Sequence, residues 1–228
     1  MQRIQKIIAN NTDISRRKAE ILIEEGAVTL NGVVATIGQS ASEDDVIAID
    51  GKPLQVSQKY YIIFHKPKEV VCSKVGEHTV YDYIPPKYLD AGVVSVGRLD
   101  KDAEGLILLS NDGTWANSVS HPSTHVAKTY RVWVERKLES RDAKELSAEI
   151  KLDEGMLKPI SVKISPFGYA EVVVSVGWHK VVKRLFAAHG FRVKKLLRVK
   201  IGQLTLPDSL KAGDYRELSI ANAQLAIR

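Results

Sequence analysis

The chain has 228 residues, a net charge of +6 and an isoelectric point near 9.2. This length suits one large domain, or a small domain joined to a medium one. No apolar run approaches the roughly 18 residues of a transmembrane helix, and the first residues lack a secretory signal, so we expect a cytoplasmic protein without a membrane partner. A single cysteine, Cys72, excludes an internal disulfide, and the histidines show no metal-ligand spacing. We therefore expect no metal and no cofactor.

Positive charge is concentrated in one part of the chain. Residues 1–50 hold five Lys or Arg against eight Asp or Glu, whereas no acidic residue occurs between Glu171 and Asp208. That basic segment contains Lys180, Lys183, Arg184, Arg192, Lys194, Lys195, Arg198 and Lys200. It predicts a phosphate-binding surface for nucleic acid. The alternative is a solvated basic face, although such faces usually mix both signs.

The N-terminal segment predicts two short helices. Ile4, Ile7 and Ile8 recur at helical spacing, and a second helix is expected from an N-cap at Ser15 to Gly26. The first turn of this second helix carries three cations, Arg16, Arg17 and Lys18. Cations oppose the helix dipole at that end. A bound polyanion would compensate for this, but an ordinary surface placement explains the three residues equally well.

A small sheet is expected next. Asn31-Gly32 between β-formers predicts a hairpin with a type I′ turn, and a third strand follows at 46–49. Residues 51–59 contain Gly, Pro and Ser without a clear period, which is typical of a linker.

Beyond the linker, two apolar runs enclose a polar turn. Strands are predicted at 60–64, 93–96 and 106–109, with a short helix at 79–84 ended by two prolines. The turn between the last two strands carries Arg98 and Asp100. A carboxylate between buried strands must be hydrogen-bonded, paired or used in chemistry. Spacing alone leaves open that Asp100 only pairs with Arg98 or caps the turn.

The remaining pattern mixes strands and helices. Tyr130 alternates in phase with Val132 and Val134, so its ring is expected on an inward face, where a core tyrosine is one explanation. Helices are predicted at 114–120, at 140–149 with Ser140 as N-cap, and at 180–189, and strands at 160–164 and 171–176. The helix at 180–189 has an apolar stripe, and a basic one with Lys180, Lys183 and Arg184. The fold class is therefore predicted as α+β.

The polar turn resembles a family signature. Gly97-Arg98-Leu99-Asp100, followed by an apolar run and Ser110-Asn111-Asp112-Gly113, is similar to G-R-L-D-x-x-x-x-G-L-L-L-L-T-N-D-G of the bacterial ribosomal (RsuA/RluB-like) pseudouridine synthases. The resemblance implies that Asp100 is the catalytic carboxylate. The first 50 residues resemble the S4 RNA-binding domain through Ser15-Arg16-Arg17 and the hairpin that follows.

Other stretches extend the resemblance. They are His65-Lys66-Pro67, His121-Pro122-Ser123 with Lys128-Thr129-Tyr130, residues 176–186, and residues 197–202. The resemblance implies that Tyr130 stacks on the target base, that Lys183 is the basic residue that keeps Asp100 ionised, and that Leu197 lines the uracil pocket. Arg98 is expected to fill the vacated base position or to clamp a phosphate. Three residues depart from the family pattern, which affects fine substrate contacts: Val176, Trp178 and Val181.

These observations together predict an α+β protein. An S4-like domain at 1–50, with two helices and a small antiparallel sheet, is followed by a linker at 51–59 and a catalytic domain at 60–228, with a mixed, mainly antiparallel sheet flanked by helices. We expect a cofactor-free, monomeric isomerase that converts a uridine of ribosomal RNA, in the large more than the small subunit. RNA contacts are expected from Arg16, Arg17, Lys18, Lys180, Arg184, Lys194, Lys195 and Arg198. The alternative is a non-catalytic RNA-binding or ribosome-assembly factor.

Overall fold

The computed structural model describes residues 1–12, 14–42, 44–54 and 58–228. These residues form two compact units. The first unit comprises Met1–Tyr60, Pro85–Val94 and Ser110–Trp115, and the second comprises Tyr61–Ile84, Ser95–Leu109 and Ala116–Arg228. Of the expected linker at 51–59, residues 55–57 lie outside the described residues, and Lys52–Pro53 forms a strand. The sequence-based domain bounds therefore stay a prediction.

The first unit has the predicted helices and hairpin. Its helices are α1 (Ile4–Asn11), α2 (Arg16–Glu24) and α3 (Pro86–Asp90). Its strands are β1 (Gln2–Arg3), β2 (Val28–Leu30), β3 (Val33–Val34), β4 (Ser40–Ala41), β5 (Ile47–Ile49) and β6 (Lys52–Pro53). A four-stranded sheet has the order β3-β2-β5-β6, and β1 pairs with β4.

Local sequence signals explain these elements. The Ser15 hydroxyl accepts a hydrogen bond from the Lys18 amide, 3.3 Å away, and so caps α2. Asn31 and Gly32 have φ angles of 52° and 83°, as a type I′ turn requires. The apolar faces of both helices meet the sheet in one core made of Ile4, Ile8, Ala19, Ile23, Val28, Ala35, Ala41 and Ile47. Burial of this core, more than helix propensity, stabilises such short helices.

The second unit is built on a nine-stranded mixed sheet. The remaining strands among the described residues are β7 (Tyr61–Lys66), β8 (Val94–Val96), β9 (Glu104–Ser110), β10 (Lys128–Val134), β11 (Ile150–Leu152), β12 (Gly155–Leu157), β13 (Ser161–Ile164), β14 (Ala170–Val174), β15 (Val193–Ile201), β16 (Leu204–Thr205) and β17 (Tyr215–Glu217). Of these, β11 and β12 form a separate two-stranded sheet. The sheet order is β13-β14-β10-β15-β9-β7-β17, while β8 pairs with β9 and β16 with β15.

Helices accompany this sheet. They are α4 (Gly113–Ser120), α5 (Ser140–Leu146), α6 (Val181–Ala188) and α7 (Ile220–Ala223), with 3₁₀ turns at Val80–Tyr83, Pro122–Thr124 and Gln224–Ile227. The predicted apolar stripe of the 180–189 helix is confirmed, because Val181, Val182, Leu185 and Phe186 of α6 are buried. They pack in the same core as the inward residues of β10 and β14.

The helix predicted at 140–149 was only partly right. It ends at Leu146, and a hairpin of β11 and β12 follows. Its N-cap is Glu139 and not Ser140: the Glu139 amide donates to the Asp142 carboxylate at 2.7 Å. Asp142 is buried, and the adjacent Arg136 guanidinium holds its pKa below the usual value. No helix among the described residues is long and apolar enough to cross a membrane.

Candidate active site

A cavity of about 350 Å³ opens beside the polar turn. Its wall combines the turn, β10, β15 and the start of α6, and includes Arg98, Asp100, Tyr130, Trp178, Lys180, Val181, Leu196 and Arg198. The structure thus brings Asp100, Arg98 and Tyr130 together in one cavity, although they are up to 32 positions apart in the sequence. Among the described residues, no three His, Cys, Asp or Glu side chains are placed to hold a metal ion.

The Asp100 turn is fastened to the sheet through its backbone. Gly97 opens the turn with a φ angle of 76°, a conformation that costs a glycine little. The Arg198 guanidinium donates from Nη1 to the Arg98 carbonyl at 3.3 Å and from Nε to the Leu106 carbonyl at 2.8 Å. A side chain at Gly105 would overlap the backbone oxygen of Arg198. These contacts leave Asp100 half-buried at the cavity wall.

Lys66 anchors the far end of the same turn. Its side chain is fully buried, and Nζ donates to the carbonyls of Pro67, Val70 and Lys101 at 2.8, 2.7 and 3.2 Å. Burial lowers the pKa of Lys66 to about 8. An ammonium has three donors, so this one side chain satisfies three carbonyls and ties residue 101, next to Asp100, to the segment after β7.

The partner strands β10 and β15 determine which side chains reach the cavity. Thr129 lies opposite Lys200, and the next residue, Tyr130, lies opposite Arg198. Val199 is therefore an extra residue on β15 and forms a β-bulge. Because side chains alternate along a strand, Leu196 and Arg198 face inward before the bulge, and Ile201 faces inward after it. The predicted inward direction of the Tyr130 ring is confirmed, since the residue is 7% exposed and lines the cavity, and its stacking on the target base stays a prediction.

Two predicted site residues on β15 lie elsewhere than the sequence suggested. Leu196, not Leu197, lines the cavity, since Leu197 points to the other face of the sheet. Arg198 was expected on an RNA-binding surface, but it is only 4% exposed. Its type and its place in a basic segment suggested a surface cation, whereas regular strand alternation puts its side chain on the same inward face as Leu196. Arg198 instead lines the cavity wall and ties the Asp100 turn to the sheet.

Lys183 does not pair with Asp100, contrary to prediction. Its ammonium forms an ion pair with Asp102, and the hydrogen bond from Lys183 is the main reason that the pKa of Asp102 lies below its usual value. Lys183 is largely buried while Asp102 is half exposed. The predicted basic residue therefore reaches the polar turn, but two positions beyond the catalytic candidate.

Arg184 also has protein partners. Its guanidinium donates to both carboxylate oxygens of Glu154, at 2.7 and 2.6 Å, and to Asp153 at 3.1 Å. These contacts hold the pKa of Glu154 below its usual value. The contact of Arg184 with RNA stays a prediction, and in this arrangement the acidic hairpin turn between β11 and β12 already neutralises its charge.

The other predicted RNA-binding residues lie at the surface. Arg16, Arg17 and Lys18 are exposed in the first turn of α2. Lys180 and Lys194 are exposed, and Lys180 also borders the cavity. Lys195 forms an ion pair with Glu104 at 3.1 Å and lies over the Trp133 ring. Exposure is compatible with phosphate contacts, so these assignments stay predictions.

Sequence reasoning did not single out Lys128 as a site residue. It lines the cavity two positions before Tyr130, on the same face of β10. Burial and the nearby positive charge of Arg198 lower the pKa of Lys128 to about 8. The sequence could have indicated Lys128, because it lies two residues before Tyr130 in the Lys128-Thr129-Tyr130 stretch and residues two apart on a strand share a face.

Comparisons with known proteins identify the family of the chain. Residues 60–189 match the RNA pseudouridylate synthase family, and residues 2–47 match the S4 domain. The chain is 37% identical to ribosomal small subunit pseudouridine synthase A of Pasteurella multocida (strain Pm70), over 95% of this chain and 96% of that protein. It is 34% identical to ribosomal large subunit pseudouridine synthase B of Bacillus subtilis (strain 168), over 96% and 93%.

A crystal structure of a pseudouridylate synthase superposes with a TM-score of 0.72 at 32% identity, covering 99% of this chain and 100% of that one. It bears out the predicted fold class of an S4 region and a larger domain with a mixed sheet. The chain therefore belongs to the RNA pseudouridylate synthase family of isomerases and carries an S4 domain at its N-terminus.

Proposed function

We propose that this protein isomerises a specific uridine of ribosomal RNA to pseudouridine, with Asp100 as the catalytic carboxylate. The observation that supports this assignment most strongly is the placement of Asp100. It is half-buried in the wall of a cavity of about 350 Å³, on a turn held by Arg198 and Lys66, with the Tyr130 ring in the same wall. Fixed backbone contacts keep such a carboxylate ready for reaction without reorganisation.

The reaction cuts the N1–C1′ glycosidic bond of uridine, turns the uracil while it stays bound, and joins C5 to C1′. The C5 proton is lost and N1 gains a proton, so the change is an isomerisation that needs no oxidant or reductant. A carboxylate suits the first step, as nucleophile at C1′ or as stabiliser of positive charge on the sugar. We assign this step to Asp100.

The target nucleotide must leave its stack to reach the cavity. Extrusion costs a few kcal/mol, which stacking and hydrogen bonds in the pocket offset. Tyr130 provides the inward aromatic ring for stacking, and Leu196 takes over the apolar contact first expected of Leu197. Arg98, exposed at the mouth of the cavity, is the side chain proposed to fill the vacated base position or to clamp a phosphate.

Ribosomal RNA is proposed as the substrate because the named relatives act on it. Their names include both subunits, and the stretch Thr79-Val80-Tyr81-Asp82 resembles the large-subunit enzymes more closely. The exposed cations Arg16, Arg17 and Lys18 of the S4 domain are proposed to orient the RNA by phosphate contacts. A monomer in the cytoplasm remains part of this proposal.

The test compares the pseudouridines of ribosomal RNA in cells with and without the gene. One site should be lost in the deletion and restored by the wild-type gene. Asp100→Asn should fail to restore it, because the amide has nearly the shape of the acid but cannot supply the charge. Asp208→Asn, a change of an exposed aspartate in the same unit, is the matched control and should restore the site.

Purified Asp100→Asn should keep the melting temperature and RNA affinity of the wild type. An unchanged modification pattern in the deletion strain would favour the non-catalytic alternative, a binding or assembly factor. Restoration by Asp100→Asn would remove Asp100 from the catalytic role while leaving the enzyme activity in place.

A further inference from the structure

Two cationic side chains lie together in the cavity wall. Lys128 on β10 and Arg198 on β15 both line the cavity, on paired strands in which Tyr130, two residues after Lys128, lies opposite Arg198. Burial, and secondly the charge of Arg198, lowers the pKa of Lys128. In the part of the chain that the structure describes, neither forms an ion pair with a carboxylate within 4 Å. Two like charges of this kind in a partly dry site favour an anionic ligand.

Both side chains have hydrogen-bond donors to spare. Lys128 Nζ donates to the Val126 carbonyl at 2.8 Å, which leaves two of its three N–H groups for a ligand. Arg198 uses Nε and Nη1 for carbonyls of the fold, whereas its buried Nη2 has no acceptor among the described residues. A buried donor without a partner is costly, so this one is expected to serve a bound group.

The depth of the pair indicates which part of a nucleotide it meets. Arg198 is 4% exposed and lies beside the inward residues Tyr130 and Leu196. An extruded nucleotide enters such a pocket base first, while its phosphates stay at the mouth. The base is neutral in the substrate. It becomes negative only when the N1–C1′ bond breaks and both bonding electrons remain on the uracil, spread over N1 and the two carbonyl oxygens.

Building on the proposed function, we propose that Lys128 and Arg198 bind the uracil ring and stabilise the uracil anion formed on glycosidic cleavage. C1′ meanwhile faces Asp100, which either bonds to it or balances its positive charge. The anion then attacks C1′ through C5, and the C5 proton leaves. Interactions that are stronger with the anion than with the neutral base lower the barrier of the first step.

The test uses the full-length protein with the ribosomal RNA that it modifies, and two variants. Lys128→Met removes the charge but keeps most of the side-chain volume, and Lys128→Arg keeps the charge. Lys163→Met, the same change at an exposed strand lysine of the same unit, is the control. Single-turnover rates at saturating enzyme and RNA dissociation constants are measured for all four proteins.

Lys128→Met should lower the single-turnover rate by about 10²-fold, the effect of removing one donor from an oxyanion site, and leave the dissociation constant unchanged. Lys128→Arg should keep most of the rate, and Lys163→Met all of it. A wild-type rate in Lys128→Met overturns the inference. So does weaker binding at an unchanged rate, because it would make the pair a site for a backbone phosphate.

Single-turnover rates measured over a series of pH values test the charge of Lys128 directly. They test the inference even if Lys128→Met does not fold. With a pKa of about 8, Lys128 loses its proton above that pH, and the wild-type rate should fall there. The arginine of Lys128→Arg stays charged, so its rate should not fall near pH 8. The other charged or titratable groups that face Lys128 across the cavity are common to both proteins: Arg98, Asp100, Tyr130, His179, Lys180 and Arg198.

A fall near pH 8 in both proteins overturns the inference. The proposed function fails separately: a wild-type protein that forms no pseudouridine in ribosomal RNA would refute it, and with it this inference. An active wild type with a fully active Lys128→Met refutes the inference alone.

Discussion

The ammonium of Lys183 pairs with the carboxylate of Asp102 and not with that of Asp100. The two aspartates are two residues apart on one turn, so the basic helix α6 holds the turn at Asp102 and leaves Asp100 outside the ion pair. Lys183 thereby becomes a candidate positioning residue for the turn. Its predicted role as the direct partner of Asp100 is replaced by one through Asp102.

This relationship predicts that Lys183 and Asp102 act as a unit. Lys183→Met and Asp102→Asn should each lower the single-turnover rate, and the double variant should be no slower than the slower single variant, since one contact is lost in all three. The coupling energy between the two substitutions, obtained from the free energies of unfolding, should be about 0.2–1 kcal/mol, because Asp102 is half exposed. The prediction fails if Lys183→Met lowers the rate of the Asp102→Asn variant by the same factor as it lowers the wild-type rate, because Lys183 would then act independently of Asp102.

Arg184 and Lys194 should differ in the salt dependence of RNA binding. Arg184 is already neutralised by Asp153 and Glu154, so Arg184→Ala should leave the slope of log K against log salt unchanged. Lys194 is exposed, and Lys194→Ala should reduce the slope by about one unit if it contacts one phosphate. Equal changes of slope in both variants would contradict the predicted difference between Arg184 and Lys194. An unchanged slope in both variants would show that neither residue contacts a phosphate of the RNA.

Lys66→Met should loosen the Asp100 turn. The change leaves the carbonyls of Pro67, Val70 and Lys101 without their ammonium donor, so the free energy of unfolding should fall by about 1–3 kcal/mol. The single-turnover rate should fall as well, because Asp100 is no longer held. Denaturant titration and a rate measurement below the midpoint check both effects. A wild-type rate would show that Asp100 keeps its place without this anchor.

Lys66 should also make stability depend on pH. Burial lowers its pKa from 10.5 to about 8 in the folded protein, so between these values the unfolded chain binds more protons than the folded one. The contribution of Lys66 to the free energy of unfolding should therefore rise from pH 8 to 10.5. The difference in the free energy of unfolding between wild type and Lys66→Met, measured against pH, separates this contribution from those of other groups that titrate at alkaline pH. A difference that is constant over this window would contradict the buried ammonium.

Leu196→Ala should lower activity more than Leu197→Ala. Leu196 is 5% exposed and lines the cavity, whereas Leu197 lies on the opposite face of β15. Loss of the Leu196 side chain removes an apolar contact to the base and opens a void, so kcat/KM should fall together with stability. Kinetics on variants confirmed as folded by circular dichroism provide the check. The reverse order of activities would restore the original assignment of Leu197.

Local patterns in the sequence predicted the elements and the inward direction of Tyr130. Helical spacing of Ile4 and Ile8, the Ser15 cap and Asn31-Gly32 each specify a backbone state within a few residues, and all three were confirmed. The alternation around Tyr130 predicted its face because a regular strand has a period of two. The polar residues between two apolar runs predicted the turn around Asp100, because the strands at Val94–Val96 and Glu104–Ser110 must be joined there.

Partners across the fold were decided only by the tertiary structure. The bulge at Val199 changes the phase of β15, and no local feature of a basic strand shows that Arg198 turns inward while Leu197 turns outward. Likewise the sequence shows that Lys183 and Arg184 are cations, but not that Asp102 and Glu154 neutralise them. Residue type fixes what a side chain can do. Register and packing decide whether a charge meets solvent, a carboxylate or the cavity, because these depend on segments tens of residues away.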